Sequence, residues 1–99
     1  MIVVRDYRDS DLERIMEIEE HSFFEPYDRG TFLHLSRNSS FLVAEIEERV
    51  EGYIIYASNG GRGVIVSLAI SSEMRRRGIG GLLLNKTIDD LKGMSRIEL

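Results

Sequence analysis

The sequence predicts an α/β fold of the α+β kind, a mixed sheet with helices packed on it, in the order β-α-α-β-β-β-α-β. Three observations carry that reading. The apolar run Val64-Ile65-Val66-Ser67-Leu68-Ala69-Ile70 leads into a basic glycine turn, Arg75-Arg76-Arg77-Gly78-Ile79-Gly80-Gly81, and then into the helical run Leu82-Leu83-Leu84. Strand-like runs at residues 41–46, 50–57 and 64–70 are separated by turn signals at Glu47-Glu48-Arg49 and Asn59-Gly60-Gly61-Arg62-Gly63. Ahead of them, residues 10–37 carry apolar side chains at helical spacing, interrupted once around Pro26.

Taken in order, residues 2–5 form a short apolar strand. Asp9 or Ser10 caps the helix that follows, and Ser10-x-x-Glu13 fits a capping box. Leu12, Ile15, Met16, Ile18, Ser22 and Phe23 share one helical face, which places Phe23 in the core. Glu19 falls inside that stripe, where a carboxylate needs a hydrogen-bond partner, although the acidic run Glu17, Glu19, Glu20 as a whole reads mostly as a solvated helix face. Pro26 lacks an N–H and disfavours helical geometry at Glu25, so the chain breaks there and restarts as a short helix over residues 31–37. Three antiparallel strands follow. The third, residues 64–70, is almost continuously apolar and is expected to be covered on both faces. A helix over residues 80–92 stops at Gly93, and residues 95–99 begin a strand parallel to residues 64–70.

Composition narrows the function. At 99 residues, with 42% hydrophobic and 30% charged side chains, one globular domain is expected. The absence of cysteine removes disulfides, thiolate metal sites and a cysteine acyl-enzyme. His21 and His34 lack metal-ligand spacing, so no metal is expected. A net charge of −4 argues against a nucleic-acid partner. No apolar run is long enough to span a membrane and no signal pattern opens the chain, which makes a cytoplasmic location the expectation. Tyr53 and Tyr56 read as ordinary strand aromatics.

The basic turn is the chemically informative feature. A helix N-terminus leaves backbone N–H groups unpartnered and carries partial positive charge. Glycines let that backbone approach a phosphate closely. Arg75, Arg76 and Arg77 add charge at the same place on an otherwise acidic chain, a pattern suited to a small polyanionic ligand.

Arg75, Gly78 and Gly80, between an apolar strand and a leucine-rich helix, resemble the Arg/Gln-x-x-Gly-x-Gly/Ala segment with which the GCN5-related N-acetyltransferase (GNAT) superfamily binds acetyl-CoA. The resemblance covers nearly the whole chain in element order. It implies that the backbone of Leu68, Ala69 and Ile70 pairs with the pantetheine arm, and that an N–H near Leu68 stabilises the oxyanion. It implies too that the N–H groups of Arg76, Arg77, Gly78, Ile79, Gly80 and Gly81 hold the diphosphate, assisted by the side chains of Arg75, Arg76 and Arg77. The reaction would be direct acetyl transfer to a primary amine.

The run Phe23-Phe24-Glu25-Pro26-Tyr27 is similar to the acceptor loop of the ribosomal-protein-alanine and archaeal N-terminal acetyltransferase types. On that resemblance Phe24, Pro26 and Tyr27 wall the first residue of a peptide or protein N-terminus. Glu25 has two readings: it binds or deprotonates the amine, or it caps the next helix. The family's usual base aligns with the position after Leu99, and its last helix and two strands would lie beyond. Glu98, on the same strand face, either substitutes as base or is an exposed strand carboxylate. A strand over residues 95–99 without a further neighbour predicts a homo-oligomer. The reading that competes with an enzyme is a non-catalytic CoA-binding module that lacks the base.

Overall fold

Two tight turns set the centre of the sheet. Glu47 and Glu48 join β2 (Ser40–Ile46) to β3 (Arg49–Asn59), and Gly60 and Gly61 join β3 to β4 (Arg62–Ile70). All four residues have φ between 50° and 80°. Positive φ at both central positions gives the twist that two-residue hairpins require; glycine takes it freely, whereas Glu47 and Glu48 hold it against their preference. In this computed structural model, which describes residues 1–94 and 96–98, β1 (Ile2–Asp6) and β5 (Arg96–Glu98) complete a five-stranded sheet. Its order is β1-β2-β3-β4-β5, antiparallel throughout except for the parallel β4–β5 pair. The expected element order holds. Ser95 and Leu99, assigned to the last strand from the sequence, lie outside the described residues.

Each face of the sheet carries its own core. Helices α1 (Leu12–Ser22) and α2 (Arg29–Asn38) cover one face, where Ile15, Phe32, Val43, Tyr53 and Ile55 are fully buried. Helix α3 (Ile79–Asp90) covers the other, where Ile54, Ile79 and Leu83 pack with Ala44 and Tyr56. The Tyr56 hydroxyl donates to the Asp90 carboxylate and ties the end of α3 to β3. No residue of β4 is exposed, as its apolar composition requires. Among the described residues no helix is long and apolar enough to cross a membrane.

The ends of α1 differ from expectation in two respects. Residues Asp9–Asp11 form a 3-10 turn, so α1 begins at Leu12 and Ser10 remains exposed. The capping acceptor is Asp11 instead, which takes the Arg8 N–H at 2.8 Å and a two-pronged contact from Arg5 at 2.9 Å. A charge-assisted fork outcompetes a neutral hydroxyl for this position. At the other end Phe23 does not continue the stripe. Its backbone is extended (φ −131°) and its ring is 41% exposed, because α1 stops at Ser22. The second helix is capped by Asp28, which accepts from the Thr31 N–H at 2.8 Å, and this removes the capping role left open for Glu25.

Burial on its own would push the Asp11 carboxyl up, but the Arg5 guanidinium and the Arg8 N–H more than offset it, and the net shift is downward. A depressed carboxyl contributes stability above its unfolded pKa that is lost as the pH falls below the ordinary carboxylate range. Asp11→Ala is therefore expected to cost about 2 kcal/mol in urea unfolding at pH 7, and this difference from the parent chain should shrink as the solution is acidified towards pH ~3.

Candidate active site

The site lies along β4, next to the stretch it pairs with β5. Among the described residues the two strands pair at Arg62↔Arg96, Gly63↔Ile97 and Val64↔Glu98. Beyond Val64, β4 has β3 on one side and no strand among the described residues on the other. The Ser71 N–H bonds to the Glu51 carbonyl at 2.8 Å, which sets the phase of the ladder. By the alternation of an antiparallel pair, Ala69 faces β3 and the backbone groups of Leu68 and Ile70 face the open edge. The Ile70 carbonyl accepts from Arg75 Nε at 3.1 Å on that open side. Two of the three expected backbone positions thus point into the gap; Ala69 contributes its side-chain face.

A residue inserted into β4 alters the next stretch. Ile55 pairs with Ser67 and Tyr56 with Ile65, leaving Val66 as an extra residue. Such a bulge re-aims the side chains around it. Val66 and Ser67 consequently both turn towards the α1 side, where Val66 packs against the first core and Ser67 meets Tyr53.

At the far end of the gap the glycine turn opens α3. Arg76 and Gly78 have φ of +67° and +81°. The first helical bond runs from the Leu82 N–H to the Gly78 carbonyl, and no side chain caps the helix. The N–H groups of Ile79, Gly80 and Gly81 precede that bond. Backbone amides arranged this way form an anion-binding concavity. The Ile79 side chain is buried in the second core, so only its amide is available to a ligand. Arg75 is held by the Ile70 carbonyl and by Ser22 Oγ at 3.2 Å, while Arg76 and Arg77 project into solvent. A Cβ on Gly80 would meet only Ile70 Cγ1 at 3.8 Å, and one on Gly81 would meet nothing within 4 Å. Neither glycine is demanded by packing within the chain; both leave room for a ligand.

Two cavities meet along this edge. The first, about 290 Å³, is bounded by Leu68, Ala69, Ile70, Arg75 and Gly80, with Ser22 and Phe23 opposite. The second, about 550 Å³, is walled by Phe23, Phe24, Tyr27, Ile65, Val66 and Leu68 and also touches Glu19, Glu25 and Ser67. Phe23 and Leu68 border both, so the two adjoin along the cleft. Phe24 is almost wholly exposed at the rim, and Pro26 is exposed outside the lining. The Tyr27 ring stands edge-on to Phe32 at 5.7 Å, which anchors the loop.

Glu19 is 2% exposed yet lines the larger cavity. It accepts the Tyr27 N–H at 2.8 Å on one oxygen and the Tyr53 hydroxyl on the other. Tyr53, in turn, lies 3.4 Å from Ser67 Oγ. Burial pushes the Tyr53 phenol well above its ordinary value, and the bond to Glu19 pushes it the same way. Tyr53 is thus a core aromatic of β3 that also bonds Glu19, and Glu19 and Ser67 line the larger cavity although the motifs did not announce them. The signal for Glu19 was its place inside an apolar stripe; the signal for Ser67 was a lone hydroxyl in an apolar strand.

The structure brings Leu68, Ala69 and Ile70 together with Arg75, Gly80 and the α3 N-terminus, and it sets Phe24, Glu25 and Tyr27 beside the larger cavity. Glu98 is not part of this assembly. It pairs with Arg62 at 3.6 Å and Arg96 at 3.3 Å, opposite Val64. Four residues separate Val64 from Leu68, about 13 Å along a strand.

The Acetyltransferase (GNAT) family profile matches residues 6–99. An uncharacterized N-acetyltransferase of Methanocaldococcus jannaschii is 38% identical over 91 residues, covering 90% of this chain and 58% of that protein. An N-alpha-acetyltransferase of Sulfurisphaera tokodaii is 29% identical over an alignment of 109 residues, covering 96% of this chain and 65% of that protein. The chain therefore spans between 58% and 65% of the length of these two relatives. The crystal structure of Ard1 from Thermoplasma volcanium superposes with a TM-score of 0.89 at 23% identity, over 97% of this chain and 68% of that one, a likeness of fold.

Backbone strain and open space separate the glycines of the turn. Gly78→Ala forces a Cβ onto φ +81° and should cost about 1–2 kcal/mol. Gly81→Ala, with open space and helical geometry, should be neutral or stabilising by up to ~1 kcal/mol. Urea unfolding of the two variants checks both values.

Proposed function

The chain belongs to the GNAT acetyltransferase family, and on that premise we propose that it carries the acetyl-CoA site and acceptor pocket of an N-acetyltransferase acting on a primary amine, foremost the α-amine of a peptide or protein N-terminus. The observation that carries this reading is a pair of adjoining cavities along the edge of β4, one reaching the α3 N-terminus at Gly80 and the other walled by the 23–27 loop.

The residues present fit the cofactor. The amides of Ile79, Gly80 and Gly81, with the charges of Arg75, Arg76 and Arg77, suit a diphosphate. The outward backbone groups of Leu68 and Ile70 suit the amides of a pantetheine arm, in the manner of an added strand. Acetyl-CoA, when bound, supplies an activated acetyl thioester. The Leu68 N–H, at the junction of the two cavities, is placed to donate where negative charge develops on the acyl oxygen.

The larger cavity suits the acceptor. Phe23, Phe24, Tyr27 and Val66 offer an apolar wall to a first side chain, and two carboxylates, Glu19 and Glu25, offer complementary charge to an amine. An α-amine of a peptide meets both demands at once. The name of the Sulfurisphaera relative, an N-alpha-acetyltransferase, supports the same choice.

Acetyl-CoA at about 100 times its dissociation constant should stabilise the chain by ~2.7 kcal/mol and raise the melting midpoint by several degrees. Gly80→Leu, which fills the cleft beside Ile70, should abolish that rise while leaving far-UV circular dichroism unchanged. Radiolabelled acetyl should pass to a lysine-free peptide with a free N-terminus. A cofactor-induced shift without transfer would favour the non-catalytic CoA-binding module; no shift at all would overturn the reading.

A further inference from the structure

Three acidic side chains of this chain are buried: Asp11, Glu19 and Glu51. Two of them have an arginine. Asp11 is forked by Arg5 at 2.9 Å, and Glu51 is held by Arg14 at 2.6 Å, with Ser71 Oγ at 3.0 Å. Glu19 has none. Its partners are two neutral donors, the Tyr53 hydroxyl and the Tyr27 N–H, and the nearest arginine in the cleft, Arg75, is bound to Ile70 and Ser22 instead. A buried carboxylate without a cation is costly. An ionised carboxylate offers about four acceptor sites, so two protein donors leave capacity for a ligand. Glu19 lines the larger cavity, and the remainder of that wall is largely apolar.

We propose that Glu19 is the carboxylate that receives the acceptor's ammonium group and takes the proton that must leave before its nitrogen attacks. This rests on the acetyltransferase reading above and identifies the group that reading leaves open. The ammonium completes the charge pair that Arg5 and Arg14 supply to the other two buried acids. One N–H bond of the ammonium breaks, its electron pair stays on nitrogen, and the proton passes to a Glu19 oxygen. The nitrogen then forms its bond to the acyl carbon of the CoA thioester, the carbon–sulfur bond breaks, and the departing thiolate takes the nitrogen's second proton. Amide and thiol are the products, and Glu19 returns its proton to solvent. Glu25 lies at the exposed part of the same cavity, and Glu98 lies outside it, paired with two arginines.

The test has a binding arm and a turnover arm, both with the full chain. In the binding arm, calorimetry in the presence of CoA compares a peptide bearing a free α-amine with the same sequence bearing an α-hydroxyl. The wild-type chain is expected to prefer the amine by about tenfold or more, and Glu19→Gln to lose that preference with its CoA-induced thermal shift intact. In the turnover arm, Glu19→Gln is expected to lower kcat by about 100-fold. Glu19→Ala, which empties the carboxylate's place, is expected to regain rate with added formate, a rescue that a merely structural side chain would not show. Equal binding of the two peptides by the wild-type chain, or a Glu19→Gln variant with unchanged preference and kcat, overturns the proposal while the acetyltransferase reading stands. A wild-type chain with no CoA-induced thermal shift overturns that reading and the proposal with it. If neither variant folds, the amine-against-hydroxyl comparison is made with Glu25→Gln: a preference kept there supports Glu19, and one lost there overturns the proposal.

Discussion

The cleft depends on the edge of β4 beyond Val64, which has no strand beside it among the described residues. A strand flanked on both sides has no hydrogen-bonding capacity to offer a ligand. One flanked on a single side has half of its backbone groups uncommitted, and burying them without partners would be costly. Arg75 satisfies the Ile70 carbonyl, and the cleft opens along the rest of the edge. Because α3 starts a few residues after β4 ends, its unpaired amides face the same gap. The bulge at Val66 belongs to the same design, since it swings Val66 and Ser67 towards the larger cavity just where the edge becomes free.

Helix α1 is the opposing wall, and its ion pairs hold it to the sheet. Arg5 on β1 grips Asp11 just before the helix begins. One turn on, Arg14 reaches β3 twice, to the Val50 carbonyl at 2.9 Å and to Glu51. Glu51 is itself the extra residue of a bulge, for Ala44 pairs with Gly52 and Glu45 with Val50. The distal end of α1 is then fixed by Glu19 through Tyr53 and by Ser22 through Arg75. The helix is thus fastened along its length to the sheet that carries the cleft, and Glu19 is presented from a rigid element. Precise placement of a reacting carboxylate needs such support.

Much of this was legible from residue order. The alternation of apolar runs with Asn-Gly-Gly and Glu-Glu-Arg turns gave the antiparallel meander, and Arg75-x-x-Gly78-x-Gly80 marked the anion-binding helix start. What the order of residues did not disclose depends on pairings across the chain. Phe23 sits at helical spacing, but whether it is core or cleft wall turns on where α1 ends, one residue earlier. Asp9 and Ser10 are the legible caps by type, but the 3-10 turn over Asp9–Asp11 delays α1, and Asp11, held by Arg5 on another element, takes the Arg8 N–H instead. The Val66 bulge depends on the register of β3 against β4, which no local signal encodes. Glu19 was visible as a carboxylate in need of a partner, but Tyr53 lies 34 residues away and only the fold brings them together.

The charge distribution gives the cleft a direction. One end holds Arg75, Arg76, Arg77 and the positive pole of α3; the other holds Glu19 and Glu25, with the apolar contacts of Phe23 and Leu68 between them. An acidic chain with Arg75, Arg76 and Arg77 at one end of a cleft draws a polyanion to that end and repels it from the other. A cationic acceptor is sorted in the opposite sense. On the proposed reading, two substrates of opposite charge would enter without competing and would meet at Leu68. A hydroxyl or carboxylate acceptor would gain nothing from the buried Glu19, and a carboxylate would be repelled by it. The same unpaired acid that makes this corner of the core costly is what would select an amine.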